Sequence, residues 1–127
     1  MTMTSVQPLY ETVQPATLGH LRLLHVNGVD LDLDGHRVFA DGTEVMLARK
    51  EYDLLRMLVE NAGRVLTRRE ILDAVWGQGY LDRNKTLDVH IRRLRRKLGP
   101  GPDSRIRTVR GLGYIFDIET DRLTSRN

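Results

Sequence analysis

The 127-residue sequence contains no cysteine, which excludes a disulfide framework and any thiolate metal site and suits a reducing compartment. It has no apolar run approaching the roughly 18 residues of a membrane span. Met1 to Pro15 lack the basic-then-apolar order of a secretory signal peptide. These absences predict a soluble, cytoplasmic protein without membrane association. Histidine is sparse and scattered: His20, His25, His36 and His90 show neither metal-ligand spacing nor a nucleophile partner. No metal, cofactor or catalytic activity is therefore expected. No internal repeat or low-complexity tract appears, and the length fits one ordinary domain.

The net charge of +3 is modest, but its distribution is uneven. Residues 85–110 hold nine Lys or Arg against Asp88 and Asp103, a net of +7, whereas residues 1–84 carry −3 and residues 111–127 carry −1. Positive charge concentrated in one segment of an otherwise acidic chain is the footprint of a polyanion binder. A solvated helix face would account for charge alone equally well.

Residues 1–19 mix Thr, Gln, Pro8 and Pro15 without periodicity and read as a flexible tail or linker remnant. Short extended runs follow: Leu21 to Val26, Val29 to Leu33, His36 to Ala40 and Thr43 to Leu47. Asn27-Gly28, Asp34-Gly35 and Asp41-Gly42 separate them, and such pairs favour the positive φ of tight hairpin turns. The pattern predicts a four-stranded antiparallel meander. Val29, Leu31 and Leu33 alternate with Asp30 and Asp32, so one face of the second strand is apolar and the other is a solvated carboxylate face. With no His or Glu cluster joining them, these carboxylates do not suggest catalysis or a cation site.

From Arg49 the period lengthens. Tyr52, Leu55, Val59 and Ala62, flanked by Leu54 and Leu58, recur at helical spacing until Asn61-Ala62-Gly63. Val65 and Leu66 suggest a short strand, and Thr67 with Glu70 makes the capping box of a second helix that buries Ile71, Leu72, Val75 and Trp76. Gly77 to Arg83 reads as a loop. A third helix runs from about Asn84 to Leu98, closed by Gly99-Pro100. Ile106 to Val109 and Tyr114 to Ile118 read as strands joined around Gly111 and Gly113, and residues 120–127 as a flexible tail. The fold class is α+β.

On a helical wheel Leu87, Ile91, Leu94 and Leu98 form a single stripe that packs inward. The opposite side carries Lys85, Val89, Arg92, Arg93 and Arg96, with Thr86 and His90 on one flank and Arg95 on the other. Arginine predominates, and its planar fork meets phosphate or guanine bidentately where lysine would serve solubility equally well. An apolar Val89 centred in this face suits a thymine methyl; isolated surface valines are common, but the arginine neighbours favour function. Asp88 reads as a helix-start carboxylate favoured by the macrodipole. The Gly111-Leu112-Gly113 triplet lies between strands and lacks the strand-to-helix context of a phosphate loop. A hairpin carrying Arg110 at its tip is shaped instead to reach phosphates or a minor groove.

The order meander, three helices, hairpin, together with Trp76-Gly77, the run Lys85-Thr86-Leu87-Asp88-Val89-His90-Ile91-Arg92-Arg93-Leu94-Arg95, and Thr108-Val109-Arg110-Gly111-Leu112-Gly113-Tyr114, resembles the winged-helix effector domain of OmpR/PhoB-type response regulators. Glu51-Tyr52-Asp53-Leu54-Leu55 and Gly63-Arg64-Val65-Leu66-Thr67-Arg68 also fit its first two helices. The resemblance implies a winged helix-turn-helix domain over residues 20–119: an N-terminal four-stranded antiparallel sheet, three helices and a C-terminal β-hairpin wing. It implies sequence-specific duplex binding in bacterial transcription regulation and two-component signalling. The recognition helix would occupy the major groove, with Val89 and Arg93 near base edges. Arg68, Trp76, Lys85, Thr86, His90, Arg92, Arg95 and Thr108 would serve mainly the DNA backbone, beside Arg96 on the same face. Arg110 would enter the minor groove. Gly77, Gln78, Gly79, Tyr80, Leu81, Asp82 and Arg83 correspond to a loop that touches RNA polymerase, and binding to direct repeats as a head-to-tail pair, from a free monomer, is implied.

Three departures stand out. Ala48 occupies the usual Ser or Thr cap of the first helix, a loss of about 1 kcal/mol. Leu87 replaces the commoner Val within the core. No phosphoacceptor receiver domain is read ahead of residue 21, as in an excised effector domain or a free-standing relative, so phosphorylation is not assigned. A protein-interaction module using the same fold stays open as a reading of the residues. RNA is disfavoured, because the basic face lacks an exposed aromatic platform for unstacked bases.

Overall fold

The alternation in the second strand becomes a sheet face. The computed structural model describes residues 22–77, 83–99 and 105–118. Within it, β1 (Leu23–Val26), β2 (Val29–Asp32), β3 (Arg37–Ala40) and β4 (Thr43–Val45) form an antiparallel meander in chain order. Val29, Leu31, Leu33 and Val38 are buried, while Asp30 and Asp32 stay at the boundary with solvent. Asn27 and Asp41 take the expected positive φ, 48° and 51°, in the first and third turns. The middle turn differs. Asp32 pairs with Arg37, leaving four residues in the loop, and the Asp32 carboxylate accepts from the N–H groups of Asp34 and Gly35. That local acceptor holds Asp34-Gly35 in ordinary backbone, and the positive φ, 57°, falls on His36, which stacks on Tyr52.

Three helices follow: α1 (Arg49–Glu60), α2 (Arg68–Trp76) and α3 (Arg83–Leu98). Between α1 and α2 the short β5 (Leu66–Thr67) forms, and after α3 come β6 (Ile106–Val109) and β7 (Gly113–Phe116). The second sheet has the order β5-β7-β6, so a two-residue strand ahead of α2 anchors the hairpin that follows α3. β7 begins and ends earlier than its sequence pattern implied. Phe116 is its last strand residue and fully buried, whereas Ile118 is exposed. Leu31 and Val38 of the first sheet, Leu54 and Leu58 of α1, Ile71 of α2, Leu87, Ile91 and Leu94 of α3, and Leu66 and Phe116 of the second sheet share one core. Trp76, on the inward side of α2, is partly buried and packs against the edge of this core.

The two helix starts illustrate opposite chemistry. Thr67 Oγ1 accepts from Glu70 N–H at 3.0 Å and Glu70 Oε1 accepts from Thr67 N–H at 2.8 Å, a complete reciprocal cap. At α1 only half exists: Glu51 Oε1 accepts from Ala48 N–H at 2.9 Å, but Ala48 has no side-chain acceptor to return. Its backbone already holds cap geometry, φ −72° and ψ 162°. Ala48→Ser is therefore expected to stabilise the domain by about 1 kcal/mol, read as a higher urea midpoint with an unchanged slope.

Glu51 is also the single buried charged residue among those described, at 2 % exposure, and Lys97 of α3 donates to its Oε1 at 2.6 Å. Burial works against its ionisation, but the bonds from Lys97 and Ala48 N–H outweigh that, and the carboxyl pKa falls below its ordinary value. A depressed carboxyl contributes stability above its unfolded pKa and loses it as pH falls through the folded value. The wild type should thus lose stability below about pH 4.5 more steeply than Glu51→Gln, which lacks the titrating group. Chemical denaturation at stepped pH reads the difference; parallel curves would remove Glu51 from the acid response.

Candidate nucleic-acid interface

The apolar stripe of α3 dictates what its other side presents. With Leu87, Ile91, Leu94 and Leu98 buried, Lys85, Arg92, Arg93 and Arg96 are exposed and Val89 is half-buried. Val89 is thus less open to water than its wheel position implied. Thr86 and His90 are half-buried on one flank, where His90 Nδ1 bonds the Thr86 carbonyl at 2.8 Å and its ring meets Trp76 edge-on at 5.0 Å.

The remaining candidates do not all stand free. Arg95 donates through Nε to the Ile106 carbonyl at 3.1 Å and through a terminal nitrogen to Thr108 Oγ1 at 2.7 Å, with its guanidinium over the Tyr114 ring. Arg68 donates to Asp88 Oδ1 at 3.0 Å, and the Tyr114 hydroxyl donates to the same oxygen at 3.1 Å. These bonds dock the wing hairpin along α3. Burial opposes the charge on Arg68, yet the bonds to Asp88 and Tyr114 prevail and its pKa is raised. For Tyr114, burial and then the bond to Asp88 raise the phenol pKa, so the hydroxyl keeps its proton as a donor. Asp88 was read from sequence as a helix-start carboxylate; α3 begins at Arg83, which places Asp88 beyond the first turn and gives it tertiary partners instead.

Arg110 is exposed in the wing turn, where Leu112 N–H donates to the Val109 carbonyl at 2.9 Å and the Leu112 carbonyl accepts from Arg68 N–H at 3.2 Å. Of the loop from Gly77 to Arg83, Gly77 is half-buried and the backbone of Arg83 opens α3; Gln78, Gly79, Tyr80, Leu81 and Asp82 lie outside the described residues.

The basic residues divide cleanly. Away from the outer face of α3 and the wing turn, each Lys or Arg side chain described, Arg83 not among them, has an internal partner, for example Arg22 with Asp34, Arg37 with Glu44, Arg56 with Glu60, Lys50 with the Val75 carbonyl, Arg105 with Asp41 and Arg107 with Asp117. Lys85, Arg92, Arg93, Arg96 and Arg110 are the described cations that make no hydrogen bond or ion pair among the described residues. All five lie on the outer face of α3 or in the wing turn. Among the described residues no group of His, Asp or Glu is arranged to hold a metal ion, and no helix is long and apolar enough to cross a membrane.

Two consecutive helices, the second with a basic outer face, followed by a hairpin docked beside it, define a winged helix-turn-helix domain. Residues 42–116 match the family described as transcriptional regulatory protein, C terminal. The sensory transduction protein RegX3 of Mycolicibacterium smegmatis is 46% identical over 97 residues, and the response regulator ArlR of Staphylococcus haemolyticus is 44% identical over 95. Those alignments cover 75% and 74% of this chain but 42% and 43% of the relatives, so the chain spans about two fifths of the length of the curated proteins it matches. Among solved structures, the DNA-binding domain of Klebsiella pneumoniae RstA in complex with the RstA box superposes with a TM-score of 0.68 at 31% identity, covering 76% of this chain and 97% of that one. The response regulator DrrB of Thermotoga maritima, an OmpR/PhoB homologue, gives 0.67 at 32% identity, covering 75% and 44%. The chain belongs to the OmpR/PhoB-type family of transcriptional regulatory protein C-terminal domains.

Proposed function

We propose that residues 20–119 bind duplex DNA sequence-specifically as a bacterial transcription regulator acting in the cytoplasm, with α3 in the major groove and the wing in the minor groove. The carrying observation is the division of cations: among the described side chains, the Lys and Arg left without an internal partner all lie on the outer face of α3 or at the wing turn. An α-helix with side chains is about 10–12 Å across and a B-form major groove is about 12 Å wide, so α3 fits with its arginine face inward. Val89 and Arg93 take the base edges. Lys85, Thr86, Arg92 and Arg96 take phosphates beside Trp76, His90, Arg68, Arg95 and Thr108, and Arg110 takes the minor groove. Membership of a transcription-regulator family and likeness to a domain solved on its DNA box support this reading. Head-to-tail pairing on direct repeats by a domain monomeric off DNA, and contact of the 77–83 loop with RNA polymerase, extend it.

Affinities on a panel of single-base variants of a selected site test the division of roles. Val89→Ala and Arg93→Ala should flatten discrimination at particular base pairs, about 1–3 kcal/mol for the arginine, whereas Lys85→Ala should weaken every duplex alike. Unchanged base preferences in both α3 variants would refute the recognition-helix assignment.

A further inference from the structure

α3 carries one acid in its sixteen residues, and it lies beside the basic face rather than on the buried stripe. Asp88 keeps 52 % of its side chain exposed while its Oδ1 accepts from both Arg68 and Tyr114. The three residues come from three elements: Arg68 opens α2, Asp88 sits in α3 and Tyr114 lies in β7. The Arg68 terminal nitrogen also lies 3.5 Å from the Tyr114 hydroxyl, which closes the cluster. A solvated carboxylate beside a polyanion site is costly to the sequence-independent part of binding, which comes almost wholly from displaced counterions. Against Asp88 the charge of Arg68 is largely cancelled, so Arg68 supplies direction more than net charge.

Resting on the DNA-binding reading above, we propose that Asp88 is a specificity-determining residue. By neutralising Arg68 it suppresses binding to unrelated duplexes, and by tying α2, α3 and the wing together it holds the geometry that specific contacts require. Base contacts at Val89 and Arg93 depend on how the three elements are set, whereas loose electrostatic docking depends only on how much positive charge is available. One carboxylate therefore acts on the two modes in opposite directions.

The test measures affinity for a selected duplex and for an unrelated duplex across a salt series, comparing the wild type with Asp88→Asn, Asp88→Ser and Tyr114→Phe. Asp88→Asn keeps an oxygen for the Tyr114 hydroxyl and removes only the charge; Asp88→Ser guards against a peculiarity of the amide. On the unrelated duplex both should bind several-fold tighter than wild type. Their slope of log affinity against log salt should steepen by about 0.9, the increment for one further neutralised phosphate. The ratio of selected to unrelated affinity should fall several-fold. Tyr114→Phe loosens the cluster without changing charge, so its salt line should run parallel to wild type even where thermal stability drops. If the Asp88 variants also run parallel, with an unchanged ratio, Asp88 is merely structural and the proposal is overturned. A wild type that shows no salt-dependent duplex binding would instead overturn the DNA-binding reading, a separate outcome.

Discussion

Replacing Arg92, Arg93 and Arg96 together by glutamine is expected to abolish useful DNA affinity while leaving the fold intact. None of the three has a partner within the described residues, and all are exposed, so no ion pair is broken and the repulsion among them is relieved. The melting temperature should stay the same or rise slightly. Each arginine should contribute about 1–3 kcal/mol to a duplex, which places the combined loss at a hundredfold or more. The salt dependence should also become shallower, by about 1.8 in the slope if Arg92 and Arg96 each neutralise one phosphate. A triple variant that binds DNA like the wild type, or that unfolds, would show that the basic face has another purpose. Binding of a protein partner that survives the triple change without loss of activity would favour an interaction module.

Gly113→Ala carries the largest expected stability effect. A Cβ built at Gly113 meets the Leu66 carbonyl oxygen at 1.9 Å and the Thr67 Cα at 2.9 Å, all backbone, so no side chain can swing away. The strands β5 and β7 must separate, losing the Thr67 to Gly113 pairing that ties the wing to the head of α2. The expected destabilisation is about 3 kcal/mol or more. Gly111 supplies the internal comparison: its φ of 79° penalises a side chain, but the space around it is open. Gly111→Ala should cost about 1–2 kcal/mol, the left-handed penalty alone. Urea denaturation of both variants reads the contrast. Equal losses would mean that the close approach of β5 and β7 relaxes readily.

How much of this was legible from the chain depends on how far each interaction reaches. The meander, the α3 stripe and the Thr67 cap are set by residues within a few positions of one another, so alternation, helical spacing and the capping pattern located them. Even there, a local competitor moved a turn: the Asp32 side chain claimed the backbone of Asp34 and Gly35 and shifted the positive φ to His36. The exposed side of α3 followed directly from its buried side. Which cations on it are uncommitted did not, because each answer lies far along the chain. Glu51 and Lys97 are 46 residues apart, and Arg68 and Asp88 are 20 apart. Arg105 bonds the Asn27 carbonyl across 78 residues and the Leu98 carbonyl at the end of α3. No local pattern marks such partners, since side-chain pairing between distant segments is fixed only when the core brings those segments together. The family resemblance accordingly assigns Arg68, Arg95 and Thr108 mainly to the DNA backbone and is silent on their second part, which is to hold the wing in place. The sequence shows Gly113 as half of a glycine pair, but the reason for it, the approach of β5, is a tertiary fact.

The most direct test of sequence-specific recognition by α3 is a binding selection from random duplexes using the domain itself. Selection should converge on a defined element, present as a direct repeat, whose major-groove positions carry most of the information. A pool that stays random through successive rounds, or enriches nothing tighter than bulk duplex, would contradict the account.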